Sequence, residues 1–432
     1  MYSQTFENIS NAIKNSMTYI SHNRKAFVYS DAFFLYEGKR RPFINVLQAL
    51  NEQGEYIIPS TLSHAEVNGL RTQSFYCPQC EEKVIIRAGP KVIPHFSHLP
   101  ESACEFVKGG ESNYHKRAKL LLYDWLKRHS FLSVTLEQYL PQINQRPDIL
   151  IETSTRKIAV EFQSATISSE EIHLRNSGYA KENIIPLWVL GENQLVRNRP
   201  FDNSFQINTF IQSLIKRHVK NSPTYLIYFC PNKKQFIILN DLYVIRANYV
   251  LATRVVLHID NIRLRHLFPQ RLLSKRQLFN HWSKEKKRFR LSSYRVHGKE
   301  LKFRKWLYQQ RLHVEQLPSV IHLPIRSQYK MNAPLWHWQS KLVINVLNPI
   351  SVGSTIELSM CMKEIDHYMN KQYTSDSHEV IKEYFIYLTK VRLFEKINDF
   401  EWIKMREFRF HRYIEESLEA DKLLLKYLQK YP

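Results

Sequence analysis

Residues 146–163 read RPDILIETSTRKIAVEFQ, two alternating runs joined by the polar stretch Thr153, Ser154, Thr155, Arg156. In the first run Asp148, Leu150 and Glu152 alternate with Ile149 and Ile151. In the second, Ala159, Glu161 and Gln163 alternate with Ile158, Val160 and Phe162. Period-2 alternation is the mark of half-buried strands. Pairing Glu152 with Lys157 across the loop and counting back sets Asp148 opposite Glu161 on one face of a hairpin. Directly opposed like charges, with Cβ atoms about 5 Å apart, destabilise a sheet. A hard divalent cation between them removes the conflict, so the hairpin predicts a metal site suited to phosphate chemistry.

Outward from the hairpin, ESNYHKRAKLLLYDWLKRH (111–129) has a helical period, with Tyr114, Ala118, Leu121, Leu122 and Trp125 on one face. Glu111, His115 and Lys119 recur every four residues along the edge of that face and look toward whatever it packs on, expected to be the sheet. Beyond the hairpin, SSEEIHLRNSGYAKE (168–182) reads as a second helix with a serine N-cap, and IIPLWVL (184–190) as a buried strand. Helix, strand, strand, helix, strand over residues 109–195 makes a compact α/β core.

Before the core, residues 25–108 alternate short apolar stretches with Gly, Pro and Asn, which predicts a β-rich module; residues 1–24 form a polar leader, expected to be poorly ordered. The module holds Cys77 and Cys80 in CPQC, then His95 and His98 in PHFSH, then Cys104. Two thiolates followed by imidazole and a third thiolate suit tetrahedral Zn²⁺. Extended backbone through PHFSH turns His95 and His98 to opposite sides, so one of them completes the set. The preferred ligands are Cys77, Cys80, His95 and Cys104, with His98 as the alternative. Cys230 and Cys361, in apolar surroundings, are expected in the core.

The chain of 432 residues carries 62 Lys and Arg against 40 Asp and Glu, a formal charge of +22. This favours a polyanionic partner, nucleic acid first. No apolar run approaches the roughly 20 residues that span a bilayer, and the start MYSQTFENISNAIKNS lacks the basic and apolar regions of an export signal. Five cysteines, an odd number, fit metal ligation in a reducing compartment better than disulfides. A cytoplasmic protein without membrane insertion is expected. Residues 196–432 open with further strand-like runs and become mainly helical and basic from about Arg263. Between Arg271 and Arg311 stand fourteen Lys or Arg against Glu285 and Glu300, interleaved with aromatics such as Phe279, Trp282, Phe289 and Phe303. Lys284, Lys286, Lys287, Arg288 and Arg290 are the expected DNA-binding residues. With ten glycines in all and no phosphate-binding glycine-rich loop, an ATP-driven motor is not expected.

A carboxylate from a helix, Asp148 after Pro147 on one strand, and Glu161-x-Gln163 on the next resemble the PD-(D/E)xK nuclease superfamily. The order CPQC, PHFSH, Cys104, ESNYHKRAK, RPDILI, IAVEFQ and ISSEEIHLRNSGYAKENIIPLWVLG resembles the competence protein CoiA family of naturally transformable Gram-positive bacteria. The resemblance implies an α/β restriction-endonuclease-like core between an N-terminal zinc-binding module and a basic C-terminal region. It implies Mg²⁺ or Mn²⁺ held by Asp148, Glu161 and the backbone carbonyl of Phe162, with Glu111 contributing directly or through water. His115 falls in the same catalytic group. Gln163 departs from the superfamily's usual lysine, and Lys119 or Lys116 is the candidate for the missing charge. Arg175 and Tyr179 are the candidate phosphate contacts. The implied function is metal-dependent processing of incoming DNA or recombination intermediates during transformation, on single-stranded or branched DNA and alongside recombination proteins. The alternatives are a non-catalytic DNA-binding recombination factor on the same fold, or a restriction-type endonuclease.

Overall fold

The computed structural model describes residues 45–90, 92–99, 104, 111–129, 133–197, 203–217, 222–268, 271–292 and 296–430. The leader expected over residues 1–24 and the start of the β-rich module lie outside the described residues. The chain divides into two compact units, residues 1–113 and 114–432.

The first unit is β-rich, as its composition predicts: a six-stranded antiparallel sheet whose long pair is β1 (Lys83–Gly89) and β2 (Val92–His98). Val84, Ile86 and Phe96 enter a small core with Val46, Ala49, Val67, Phe75, Cys77 and Cys104. Ile86 pairs with Phe96 and Val84 with His98. Two residues from Phe96 on the same strand, His98 shares its core face, while His95 lies on the other.

In the second unit α1 (Asn113–Lys127) precedes a ten-stranded sheet. The elements β4 (Ile149–Glu152), β5 (Lys157–Gln163), α2 (Ser169–Lys181) and β6 (Ile184–Gly191) follow the sequence reading, whereas β3 (Ser133–Leu136), which pairs with β4, is a strand that reading did not include. Glu152 pairs with Lys157 and Ile149 with Val160, the register counted above. The Ser168 hydroxyl caps α2 by accepting the Glu171 N–H at 3.1 Å. Strands β5, β6 and β7 (Thr224–Cys230) run parallel, and β8 (Gln235–Arg246) and β9 (Tyr249–His258) continue antiparallel. The sheet therefore does not end near residue 195. An unpaired β6 edge would leave a row of backbone groups open, and the apolar run 224–230 covers it.

Helices cover both faces of the sheet. On one, Trp125 of α1 meets Phe236 at 5.0 Å and His115 meets Phe162 at 5.3 Å between ring centroids. On the other, Tyr179 of α2 packs with Leu140, Leu150, Ala159 and Ile184.

The remainder places α3 (Lys275–Leu291), α4 (Gly298–Gln309), α5 (Ser377–Lys390) and α6 (Ile414–Lys430) around one large core. A small sheet of Thr355–Glu357, Phe394–Lys396 and Glu401–Lys404 interrupts the expected helical character. Phe279, Trp282, Phe289 and Phe303 belong to the core, so these interleaved aromatics form the inner side of their helices. Tyr243 and Ile245 of β8 and Leu251 of β9 enter the same core. The Arg326 guanidinium also reaches back to the fully buried Asp241 of β8 at 2.6 Å. No helix among the described residues is long and apolar enough to cross a membrane.

Candidate metal centres

Asp148 stands one residue before β4, beyond the last pair of the β4–β5 ladder. Its carboxylate accepts the Phe162 N–H at 2.8 Å, supplying the acceptor that the ended strand no longer offers. From α1, Lys119 Nζ lies 3.0 Å from one carboxylate oxygen and His115 Nε2 3.5 Å from the other. Burial alone would raise the Asp148 carboxyl, but Lys119 and His115 outweigh it and hold the group well below the usual carboxylate range. Ligand atoms of Glu111, His115 and Asp148 all lie within 4.8 Å of one another. Two carboxylates and an imidazole thus gather where β5 ends, near the start of α1. That donor set fits a divalent cation.

Glu161 goes elsewhere. Since Asp148 sits in a bend, strand alternation does not carry it onto the Glu161 face. Glu161 is buried toward α2, where its carboxylate accepts the Tyr179 hydroxyl and the Arg175 guanidinium, the latter at 2.6 Å. Burial pushes its carboxyl up to about 7, with Arg175 opposing and the Asp148 charge adding. The two acids expected side by side are therefore divided between the helices.

Tyr179 is wholly buried, which corrects its expected role as a phosphate contact. Arg175, also bound to the Arg146 carbonyl at 3.1 Å, keeps 28 % of its side chain exposed. The Gln163 amide donates to the Ala165 carbonyl at 2.8 Å and so ties down the loop after β5. Phe162 meets Asp148 through its N–H. Lys119 and Lys116 are both buried, but Lys119 brings its charge within 3.0 Å of the Asp148 carboxylate, where the missing lysine was sought. The sequence reading missed Glu137, a buried acid just past β3, whose carboxylate lies 2.7 Å from Lys119 Nζ.

In the first unit, ligand atoms of Cys77, Cys80, His98 and Cys104 lie within 4.8 Å of one another. The preferred histidine, His95, is corrected to its alternative, His98. Ring Nε2 of His98 is 3.3 Å from Cys80 Sγ, whereas His95 Nδ1 is bound to the Ile93 carbonyl at 2.7 Å. Tetrahedral zinc ligated at about 2.0–2.3 Å sets its donors roughly 3.3–3.8 Å apart, which this cluster accommodates with little adjustment. Burial tends to raise the Cys77 thiol, but His98 and the N–H groups of Cys80 and Gln79 bring it down to about 7. Burial, with the Cys77 charge adding, pushes Cys80 up to about 12.

The basic stretch divides by helix face. Lys286 and Arg290, expected on DNA, are buried, and both reach Asp421 of α6, at 3.2 and 2.6 Å. Lys286 also donates to the carbonyls of Ser319 and Ile321, and Arg290 to those of Val314, Glu315 and Leu317. Lys284, Lys287 and Arg288 are exposed, and Arg288 pairs with Glu285 at 3.1 Å.

An α/β sheet covered by helices, with carboxylates and an imidazole gathered at a strand end, has its counterpart in a known class. Residues 111–272 match the family model described as the competence protein CoiA nuclease-like domain, which makes this a nuclease-like protein. Residues 59–107 and 278–418 match that family's N-terminal and C-terminal domain models, and the chain belongs to the competence protein CoiA family. It is 28% identical over 333 residues to the competence protein CoiA of Bacillus subtilis (strain 168), covering 74% of this chain and 87% of that one.

Proposed function

We propose that the chain cleaves DNA phosphodiester bonds at a centre built on Asp148, acting on incoming strands or recombination intermediates during transformation. The observation that carries this reading is the convergence of Glu111, His115 and Asp148 within 4.8 Å, beside a hairpin resembling that of PD-(D/E)xK nucleases. Asp148 is held ionised and ready for a cation; Arg175 offers a partly exposed guanidinium for a phosphate oxygen. A divalent cation bound there supplies Lewis-acid polarisation of the phosphoryl group and a more acidic water. The imidazole in the donor set favours Mn²⁺ over Mg²⁺. In the first unit, Cys77, Cys80, His98 and Cys104 hold structural Zn²⁺ on this reading.

One observation favours a second reading, a non-catalytic DNA-binding recombination factor. Gln163 is turned to Ala165, and Lys119, though 3.0 Å from Asp148, is already paired with the buried Glu137, so both groups that would orient an attacking water are engaged elsewhere. Labelled linear, single-stranded and branched DNA, incubated with Mn²⁺, separates the two. Under the first reading, wild-type protein cuts and Asp148→Ala loses at least about 1000-fold in rate, as for loss of a principal charge-stabilising group. Undiminished cutting by Asp148→Ala in nuclease-free preparations rejects the centre. Metal-independent binding without cutting by the wild type selects the second reading.

DNA affinity on either reading draws on the exposed cations of α3 and α4: Arg276, Lys284, Lys287, Lys302 and Lys305. Lys284→Gln with Lys287→Gln is expected to weaken binding of all sequences alike. It should also flatten the logarithmic salt dependence by about 0.7–0.9 for each phosphate no longer neutralised. An unchanged salt slope in filter-binding titrations moves the DNA interface off α3.

A further inference from the structure

We infer that Glu137 and Lys119 form a charge-setting pair behind Asp148 that tunes how tightly Asp148 holds a divalent cation. The inference rests on the reading of Asp148 as a cation ligand. Leu136 is paired with Ile149, so Glu137 flanks Asp148 across the strands, and its N–H donates to the Asp148 carbonyl at 3.0 Å. Glu137 has a φ of +50°, a left-handed conformation uncommon outside glycine and often retained near functional sites. Lys119 Nζ is placed 2.7 Å from the Glu137 carboxylate and 3.0 Å from that of Asp148. The side chains of Lys119 and Glu137 are 1 % and 4 % exposed. Ions of the solvent screen such buried charges weakly.

A lysine bound to Asp148 alone competes with any second cation for the same carboxylate. Glu137 takes up part of that charge and leaves Asp148 with capacity for a metal ion. Lys119 in turn keeps Asp148 ionised and its carboxylate oriented. Both are positioning residues, acting through Asp148.

The test is titration of the full-length, zinc-loaded protein with Mn²⁺, free Mn²⁺ being read by electron paramagnetic resonance and folding by circular dichroism. Glu137→Gln is expected to weaken Mn²⁺ binding about tenfold, as loss of outer-shell partners commonly does. The double variant Lys119→Met/Glu137→Gln, which removes the competing cation, is expected to return to within about threefold of wild type. Such rescue distinguishes a charge role from a packing role, since packing defects accumulate. If Glu137→Gln does not fold, Glu137→Asp keeps the charge but withdraws it, and weaker Mn²⁺ binding than wild type is expected, wild-type affinity in that variant overturning the inference. Wild-type affinity in the folded single variant, or a double variant as weak as the single one, overturns the inference. Identical Mn²⁺ binding by wild type and Asp148→Ala rejects the underlying site, and the inference with it.

Discussion

Chelation of the zinc-loaded protein is expected to unfold the module around Cys77, Cys80, His98 and Cys104. The module has little else to hold it: nine residues form its core among those described, and four of its six strands are two residues long. Structural zinc contributes roughly 10–16 kcal/mol in small domains, as much as or more than the whole stability of a typical domain at about 5–15 kcal/mol. The thiols must ionise to bind. With Cys77 at about 7 and Cys80 at about 12 without metal, binding releases protons, and zinc is expected to dissociate as pH falls. Elemental analysis should find one zinc per chain in wild type and in His95→Ala, and its loss in His98→Ala. Zinc retained by His98→Ala and lost by His95→Ala returns the site to His95. Zinc absent from wild type purified without chelator removes the site.

The second large effect is expected at Asp421. Its carboxylate meets Arg290 through two bonds, 2.6 and 2.9 Å, with Lys286 at 3.2 Å. Asp421→Ala would strand two buried cations, a change that typically costs about 3–5 kcal/mol. Urea unfolding at neutral pH measures it. Burial brings Lys286 down to about 8, with Asp421 opposing that fall. In the variant Lys286 therefore titrates lower still. Relative to the unfolded chain it binds fewer protons across the window up to about 10.5, so the variant's stability should rise with pH there. Arg290 stays charged, and the rise should be partial. A loss under about 1 kcal/mol, within the range of an exposed pair, would mean that the cluster is solvated.

Much of this architecture was legible because local pattern and burial agree. The β4–β5 register and the apolar face of α1 follow from periodicity, and the Ser168 cap from the residue type that opens α2. What failed did so where a pattern was carried past the element that supports it. Asp148 lies beyond the ladder, so alternation ceased to govern its side chain. His98 was recoverable: it stands two residues from Phe96 on one strand, and the more apolar parity is the inner one. Lys286 and Arg290 follow Trp282 at successive intervals of four, which places them on the buried face of α3 despite their charge. Glu137 gave a weaker signal, an acid closing a strand, and its tie to Lys119 spans the core. The aromatics of α3, Phe279, Trp282 and Phe289, lie on the same buried face as Lys286 and Arg290.

Tyr243, Ile245 and Leu251, which lie within the nuclease-like match yet pack in the C-terminal core, bear on how this protein can be taken apart. A chain cut after residue 272 would face water with these side chains and leave Asp241 without Arg326. Such a fragment is expected to aggregate or melt early, and an inactive fragment would say nothing about Asp148. The boundary between the two segments is thus one of recognisable sequence and not of independent folding. Exchange of either segment between relatives should succeed only when the β8 and β9 residues are exchanged with their helical partners.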